Sequence, residues 1–234
     1  MTNKTPFIAL EDVTKKYPLG DGNFYQSLYG VNIKINEGEF VAIIGPSGSG
    51  KSTTMHILGA LDVPTTGVYK LGGKDVSKYS SDELADIRNK EIGFVFQSFN
   101  LLPRTTVFKN VERPMLYGKV PAADRKVRAE TALKLVGLED KIHNLSNQLS
   151  GGQIQRVAIA RAIIMNPRLI LADEPTGNLD TKTSYEIMHL FEILHHEQGR
   201  TVIVITHEPD IAQIADRIIK IVDGKIVSDE KLRD

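Results

Sequence analysis

Apolar and polar residues alternate over 8–13 and 31–35, the period of a strand with one buried face and one wet face. The run Phe-Val-Ala-Ile-Ile at 40–44 is apolar throughout and reads as a further strand. Runs at 169–172 and 202–205 have the unbroken character of strands buried on both faces of a parallel sheet. The stretch 67–71 with its Gly72-Gly73 turn adds β signal, and 92–97 is a short apolar strand that ends on a polar residue. Helical texture follows the glycine loop at 53–61. It returns after Ser80, where Ser-Ser-Asp-Glu offers a capping box for a helix to about Lys90. From Ser98 to about Arg168 the reading is mostly helical, with an amphipathic helix at 122–136 stopped by Gly137 and another at about 153–165. A helix at 183–197 ends near Gly199, and the tail reads as a hairpin about Asp223-Gly224. The pattern predicts an α/β chain: antiparallel strands mixed with a strand–loop–helix unit, a helical segment, then α/β again. No internal repeat, low-complexity stretch or long linker interrupts it.

The loop between the 40–44 strand and its helix reads Gly45-Pro46-Ser47-Gly48-Ser49-Gly50-Lys51-Ser52, followed by Thr53. This fits the phosphate-binding pattern G-x-x-x-x-G-K-[ST], in the strand-to-helix context that makes an anion site. Backbone N–H groups would point inward and the helix dipole favours negative charge. Lys51 is expected on the β- and γ-phosphates, and the Ser52 hydroxyl on Mg²⁺. A chance match to so short a pattern is the bland alternative, and the flanking strand and helix weigh against it.

The strand at 169–172 runs into Asp173 and Glu174. In a phosphate-loop ATPase an acid at the end of a neighbouring strand positions Mg²⁺; Asp173 fits, which leaves Glu174 facing the terminal phosphate to orient or deprotonate water. An ordinary strand end before the Pro175-Thr176-Gly177-Asn178 turn is the plainer reading. Leu149-Ser150-Gly151-Gly152-Gln153 precedes a helix, and Ser150 with Gln153 is also a capping box. Two glycines do nothing for a helix start, but they suit close approach of backbone to a ligand, which makes this a second candidate anion site. His207 follows the 202–205 strand, where open α/β sheets place ligand groups, and Gln97 ends another strand.

Composition narrows the partners. The 234 residues carry 29 basic and 29 acidic side chains, so no net positive field points to nucleic acid. The chain has no cysteine, which excludes disulfides and thiolate metal sites. Residues 1–12 lack the apolar stretch of a signal peptide, and no apolar run approaches the roughly 18 residues a membrane span needs. A cytoplasmic protein is expected, with any membrane role supplied by a partner.

Taken in order, Tyr17, the loop Gly45 to Ser52, Gln97, Leu149 to Gln153, Asp173-Glu174, Asp180 and His207 resemble the nucleotide-binding subunit of an ATP-binding-cassette (ABC) transporter, over essentially the whole chain. The Leu-Ser-Gly-Gly-Gln signature is the most specific element. The resemblance implies a phosphate-loop NTPase core with an N-terminal antiparallel β subdomain (1–97 and 166–234) and an inserted helical subdomain (98–165). It implies ATP and Mg²⁺, sandwiched between two copies packed head to tail. Ser150, Gly151, Gly152 and Gln153 of one copy would then touch the γ-phosphate held by the other. By the same likeness Asp173 is the Mg²⁺ acid, Glu174 the general base, Gln97 a contact to Mg²⁺ and attacking water, and His207 the γ-phosphate switch. Asp180 would link the two sites, and Tyr17 would stack on adenine.

Two segments depart from the pattern. The 18–29 segment is long and holds Phe24 and Tyr25, either of which could compete with Tyr17, and Gly177-Asn178 stands where Ser-Ala is commoner. The loop sequence, Gly93-Phe94-Val95-Phe96-Gln97 and Asn100-Leu101-Leu102-Pro103 look like the macrolide-exporter and lipoprotein-releasing branch, which pairs with a permease. Phe99 to Leu102 is the expected permease contact, at the cytoplasmic face of the membrane; packing of the helical segment is the alternative use of those side chains. A soluble repair or translation ATPase is disfavoured by the single cassette, and a dead sensor by the presence of Glu174 and His207.

Overall fold

The computed structural model describes residues 5–233. The opening stretch read for a signal peptide lies partly outside them. In chain order the strands are β1 (Ile8–Gly20), β2 (Asn23–Ile35), β3 (Phe40–Ile44), β4 (Thr66–Leu71), β5 (Lys74–Asp75), β6 (Ile92–Phe96), β7 (Leu169–Asp173), β8 (Thr201–Ile205), β9 (Arg217–Val222) and β10 (Lys225–Lys231). The helices are α1 (Lys51–Leu58), α2 (Ser81–Lys90), α3 (Val107–Tyr117), α4 (Ala122–Leu135), α5 (Gly151–Ile163), α6 (Thr181–His196) and the short α7 (Pro209–Ala212).

Two sheets form. One is antiparallel, in the order β2-β1-β4-β5; the other runs β10-β9-β3-β8-β7-β6, parallel from β9 to β6 with β10 antiparallel at its edge. Side chains of a strand alternate between faces, and this splits the core into two layers. Phe40, Ala42, Ile170, Ala172, Val202 and Val204 face the packed helices α3 to α6. Their neighbours Val41, Ile43, Leu169, Leu171, Ile203 and Ile205 face α1 and the antiparallel sheet. Both faces of β3, β7 and β8 are therefore dry, which is why these strands read as unbroken apolar runs.

The largest difference from the expected elements is the first hairpin. β1 and β2 continue well beyond the alternating 8–13 and 31–35 segments, to a turn at Asp21-Gly22. Pairing of β1 with β4 ends at Thr14–Thr66. Beyond it the two strands form a ribbon with exposed Leu19, Phe24 and Tyr25, and a ribbon without one buried face leaves no alternation to read. Between β6 and α5 the chain is less helical than expected, because the approaches to α3 and α5 are irregular loops with two short 3₁₀ turns. Helix starts at α1, α5 and α6 fall two residues earlier than the periodicity indicated, since the residues before them serve as caps.

Gly93 fixes α5 against the sheet. A Cβ there would lie 2.4 Å from the Ala162 carbonyl oxygen, a backbone atom that cannot swing aside. Gly93→Ala is expected to cost about 1–3 kcal/mol, the range for overpacking, measured by denaturant unfolding.

Candidate functional site

Parallel register brings the ends of four strands to one edge. Phe96 pairs with Asp173, Asp173 with Ile205, and Ile205 with Ile43. The next residues in each strand direction are neighbours: Gln97, Glu174, Thr206-His207 and Ile44-Gly45. Two backbone bonds fasten the edge, from Glu174 N–H to the Ile205 carbonyl at 2.8 Å and from Thr206 N–H to the Ile43 carbonyl at 3.2 Å. Glu174 takes a left-handed φ of 46°, uncommon for a residue with a Cβ.

The glycine loop is held tightly from beneath. A Cβ on Gly45 would lie 2.0 Å from the Ile221 carbonyl oxygen, so no other residue fits there. Gly50 sits at φ 100° as the cap of α1, which has no side-chain cap and no acid in its first turn. In α2, α5 and α6 the corresponding donors are met by Ser80, Ser150 and Asp180. The α1 terminus thus keeps its N–H groups and positive dipole end for an anion. Lys51 Nζ donates to the carbonyls of Gly45 at 2.8 Å and Pro46 at 2.9 Å, which keeps the ammonium over the loop. The Ser49 hydroxyl is buried beneath it without a partner.

The charged groups interact. His207 Nδ1 lies 2.8 Å from both carboxylate oxygens of Glu174. That hydrogen bond and the Glu174 charge raise the His207 pKa, with a smaller lift from Glu208 opposed by Lys51. Asp173 is also held above the ordinary carboxylate range, first by burial and then by Glu174, against the pull of His56 and Lys51. Lys51, Asp173, Glu174 and His207 therefore occupy one electrostatic neighbourhood.

Other expected site residues have structural duties as well. The Tyr17 hydroxyl donates to Asp62 Oδ2 at 3.1 Å, and the Lys15 ammonium lies 5.0 Å from its ring centre. Burial, chiefly, raises the Tyr17 pKa, and Thr53 of α1 is beside it. Tyr25 is directly across the ribbon from Tyr17, whereas Phe24 is opposite Pro18. Ser150 and Gln153 form the capping box of α5: Ser150 N–H donates to Gln153 Oε1 at 3.0 Å, and Gln153 N–H to Ser150 Oγ at 3.4 Å. Gly152 also lets α6 approach, because a Cβ there would meet Thr183 Cγ2 at 2.5 Å. Asp180 caps α6 by accepting from Thr183 N–H at 3.0 Å and its hydroxyl at 2.6 Å, and these bonds lower its pKa. No hydrogen bond or ion pair joins Ser150 to Gln153 with the phosphate loop among the described residues.

Past Gln97, Phe99 and Asn100 both take left-handed φ values, 60° and 49°. Arg161 of α5 donates to both their carbonyls, to Phe99 at 2.9 Å. The Leu101 side chain packs against the helical core. Asn100 lines a largely apolar cavity of about 650 Å³ with Leu61, Phe94, Phe96, Tyr117 and Arg161. Neither Arg161 nor the groove was singled out from sequence; a basic residue within the otherwise apolar second half of α5, 157–163, was the available signal.

Comparison with known proteins agrees with this architecture. A family profile described as ABC transporter matches residues 28–177. The uncharacterized ABC transporter ATP-binding protein YknY of Bacillus subtilis is 54% identical over 220 residues, covering 94% of this chain and 95% of that protein. The macrolide export ATP-binding/permease protein MacB of Chlorobaculum tepidum is 54% identical over 227 residues, covering 97% of this chain but 34% of its own length. Among solved structures, a dimeric post-hydrolysis state of the ATP-binding cassette MJ0796 bound to ADP and Pi superimposes with a TM-score of 0.88. It is 47% identical and covers 97% of this chain and 99% of that one. The chain belongs to the ABC transporter family, as an ATP-binding and ATP-hydrolysing subunit.

Proposed function

We propose that this subunit powers export through a separate permease, working as a head-to-tail dimer on the cytoplasmic face of the membrane. The observation that supports this most is the strand-end register, in which Phe96, Asp173, Ile205 and Ile43 stand side by side at the edge where β3 runs into the Lys51 loop. In this reading Gly45 to Thr53 hold the phosphates and Tyr17 stacks on the base, favoured over Phe24 and Tyr25 because it is the one tied to α1 and Asp62. Ser150, Gly151, Gly152, Gln153 and Asp180 serve the nucleotide of the second copy. Nucleic acid is not a partner.

Mg²⁺ fits the residues present. Ser52, Gln97 and Asp173 offer hard oxygen donors, and the described residues hold no cluster of three or more His, Cys, Asp or Glu. So spare a donor set suits an ion that keeps waters and shares substrate phosphates. When bound, Mg²⁺ neutralises charge on the phosphates. Lys51 orients the β- and γ-phosphates, Glu174 takes the proton of the attacking water, and His207 holds the terminal phosphate. Closure brings the second copy's signature onto the same phosphate, and its loss after hydrolysis reopens the dimer, a shift of population by differential contacts.

No helix among the described residues is long and apolar enough to cross a membrane, and the MacB relatives carry ATP-binding and permease functions in one chain. The groove beside Phe99 to Leu102 is the proposed permease contact, with Leu101 packing the helical core and Asn100 facing the groove. Leu61→Glu with Tyr117→Glu charges two exposed groove residues outside the nucleotide site. The double variant is expected to lose its permease on co-purification from membranes while basal ATPase stays within about twofold, as surface changes usually allow. Retention of the permease would rule the groove out. A soluble repair or translation ATPase is the alternative, and the wild-type chain would then bring no membrane protein with it.

A further inference from the structure

Gly177 and Asn178 stand where the resembled family more often has Ser-Ala, and neither belongs to the phosphate loop or to the Leu149–Gln153 signature. Both touch Gln97. Asn178 Nδ2 donates to the Gln97 backbone carbonyl at 2.9 Å. The Gln97 side chain lies against Gly177, where a Cβ would come 2.6 Å from Nε2 and 3.2 Å from Cδ. The turn that presents them is fixed at its far side, because buried Thr176 donates through its hydroxyl to Glu208 at 2.9 Å and Gly177 N–H donates to the Glu174 carbonyl at 3.1 Å.

The two residues are complementary. Glycine leaves the space that the Gln97 amide occupies, and asparagine supplies a donor that alanine lacks. Gln97 itself ends a strand and enters a stretch with two left-handed residues, so strand pairing does not hold it beyond Phe96. We propose that Asn178 and Gly177 are positioning residues for Gln97: they hold its amide at the strand-end edge, and they tie it to the turn that runs directly into Asp180. A movement of Asp180 would reach Gln97 through a single hydrogen bond. This rests on the reading of Gln97 as a residue that contacts Mg²⁺ and the attacking water.

The test compares Asn178→Ala, Gly177→Ser, Gln97→Ala and the Gln97→Ala/Asn178→Ala double variant. Three quantities are measured: kcat, the Mg²⁺ concentration for half-maximal rate, and binding of a fluorescent ATP analogue without Mg²⁺. Asn178→Ala and Gly177→Ser should each lower kcat and raise the Mg²⁺ requirement by about fivefold, the worth of one net hydrogen bond. Metal-free nucleotide binding should not move, and the melting temperature should fall by no more than about 4 °C. In the Gln97→Ala background the Asn178 change should add nothing, since contacting residues are not additive. Full additivity, or wild-type kcat and Mg²⁺ requirement in Asn178→Ala while Gln97→Ala is impaired, would overturn the positioning role alone. Wild-type behaviour in Gln97→Ala would instead remove Gln97 from the site, and this proposal with it.

Discussion

Glu174→Gln is expected to bind ATP, dimerise on it and nearly cease turnover, with kcat lower by about 10²- to 10⁴-fold, the usual contribution of a positioned general base. The substitution keeps the shape of the side chain and the left-handed backbone at φ 46°. It removes the charge and the proton-accepting capacity. Without hydrolysis the γ-phosphate contacts that close the dimer persist, so size-exclusion chromatography with ATP should show a lasting dimer that ADP does not produce. A second readout is independent of turnover. The hydrogen bond and charge of Glu174 are what raise the His207 pKa, so in the variant His207 should titrate at a lower pH by NMR. The sign for stability follows: a raised histidine pKa stabilises the fold at low pH, and that contribution fades as pH rises through the raised value. In Glu174→Gln that contribution should be smaller and should be spent at a lower pH. A variant that hydrolyses ATP at the wild-type rate would take the general-base role from Glu174.

The strands that carry the site were readable because each is buried on both faces. β3, β7 and β8 announce themselves as apolar runs, and the residues at their ends inherit a position from the sheet. What the sequence withheld is pairing across it. Nothing local states that Phe96 lies beside Asp173, or Asp173 beside Ile205, so the meeting of Gln97, Glu174 and His207 was visible only through family likeness. The β1–β2 ribbon was half missed because two wet faces erase alternation. At Ser150 and Asp180 the plain and the functional readings coexist, since both side chains cap helices. At Gly152 likewise a packing duty stands beside the ligand role, since a Cβ there would also meet Thr183 of the same chain.

Lys51→Ala tests the loop on which the rest depends. A charged hydrogen bond is worth about 1.5–3 kcal/mol, so ATP affinity should fall by roughly 10- to 150-fold, measured by equilibrium binding of a fluorescent analogue. The fold should not suffer. Lys51 donates only to the carbonyls of Gly45 and Pro46, which are half-buried and exposed, so water can replace it at both. Thermal melting without nucleotide should stay near the wild-type value, which separates lost binding from lost structure. Lys51→Arg keeps the charge but spreads it over a rigid planar fork, and the Gly45 backbone is packed so closely on Ile221 that an added Cβ would lie 2.0 Å from its carbonyl oxygen, which leaves the loop no room to retreat. It should therefore restore little affinity, marking the site as one for a compact ammonium. Combining Lys51→Ala with Glu174→Gln joins the two predictions: at ATP concentrations that dimerise Glu174→Gln alone, the double variant should remain monomeric, because the contacts that close the dimer are made through the nucleotide. Undiminished ATP binding by Lys51→Ala would mean that Gly45 to Ser52 does not hold the phosphates, and the roles given to Asp173, Glu174 and His207 around it would fall together.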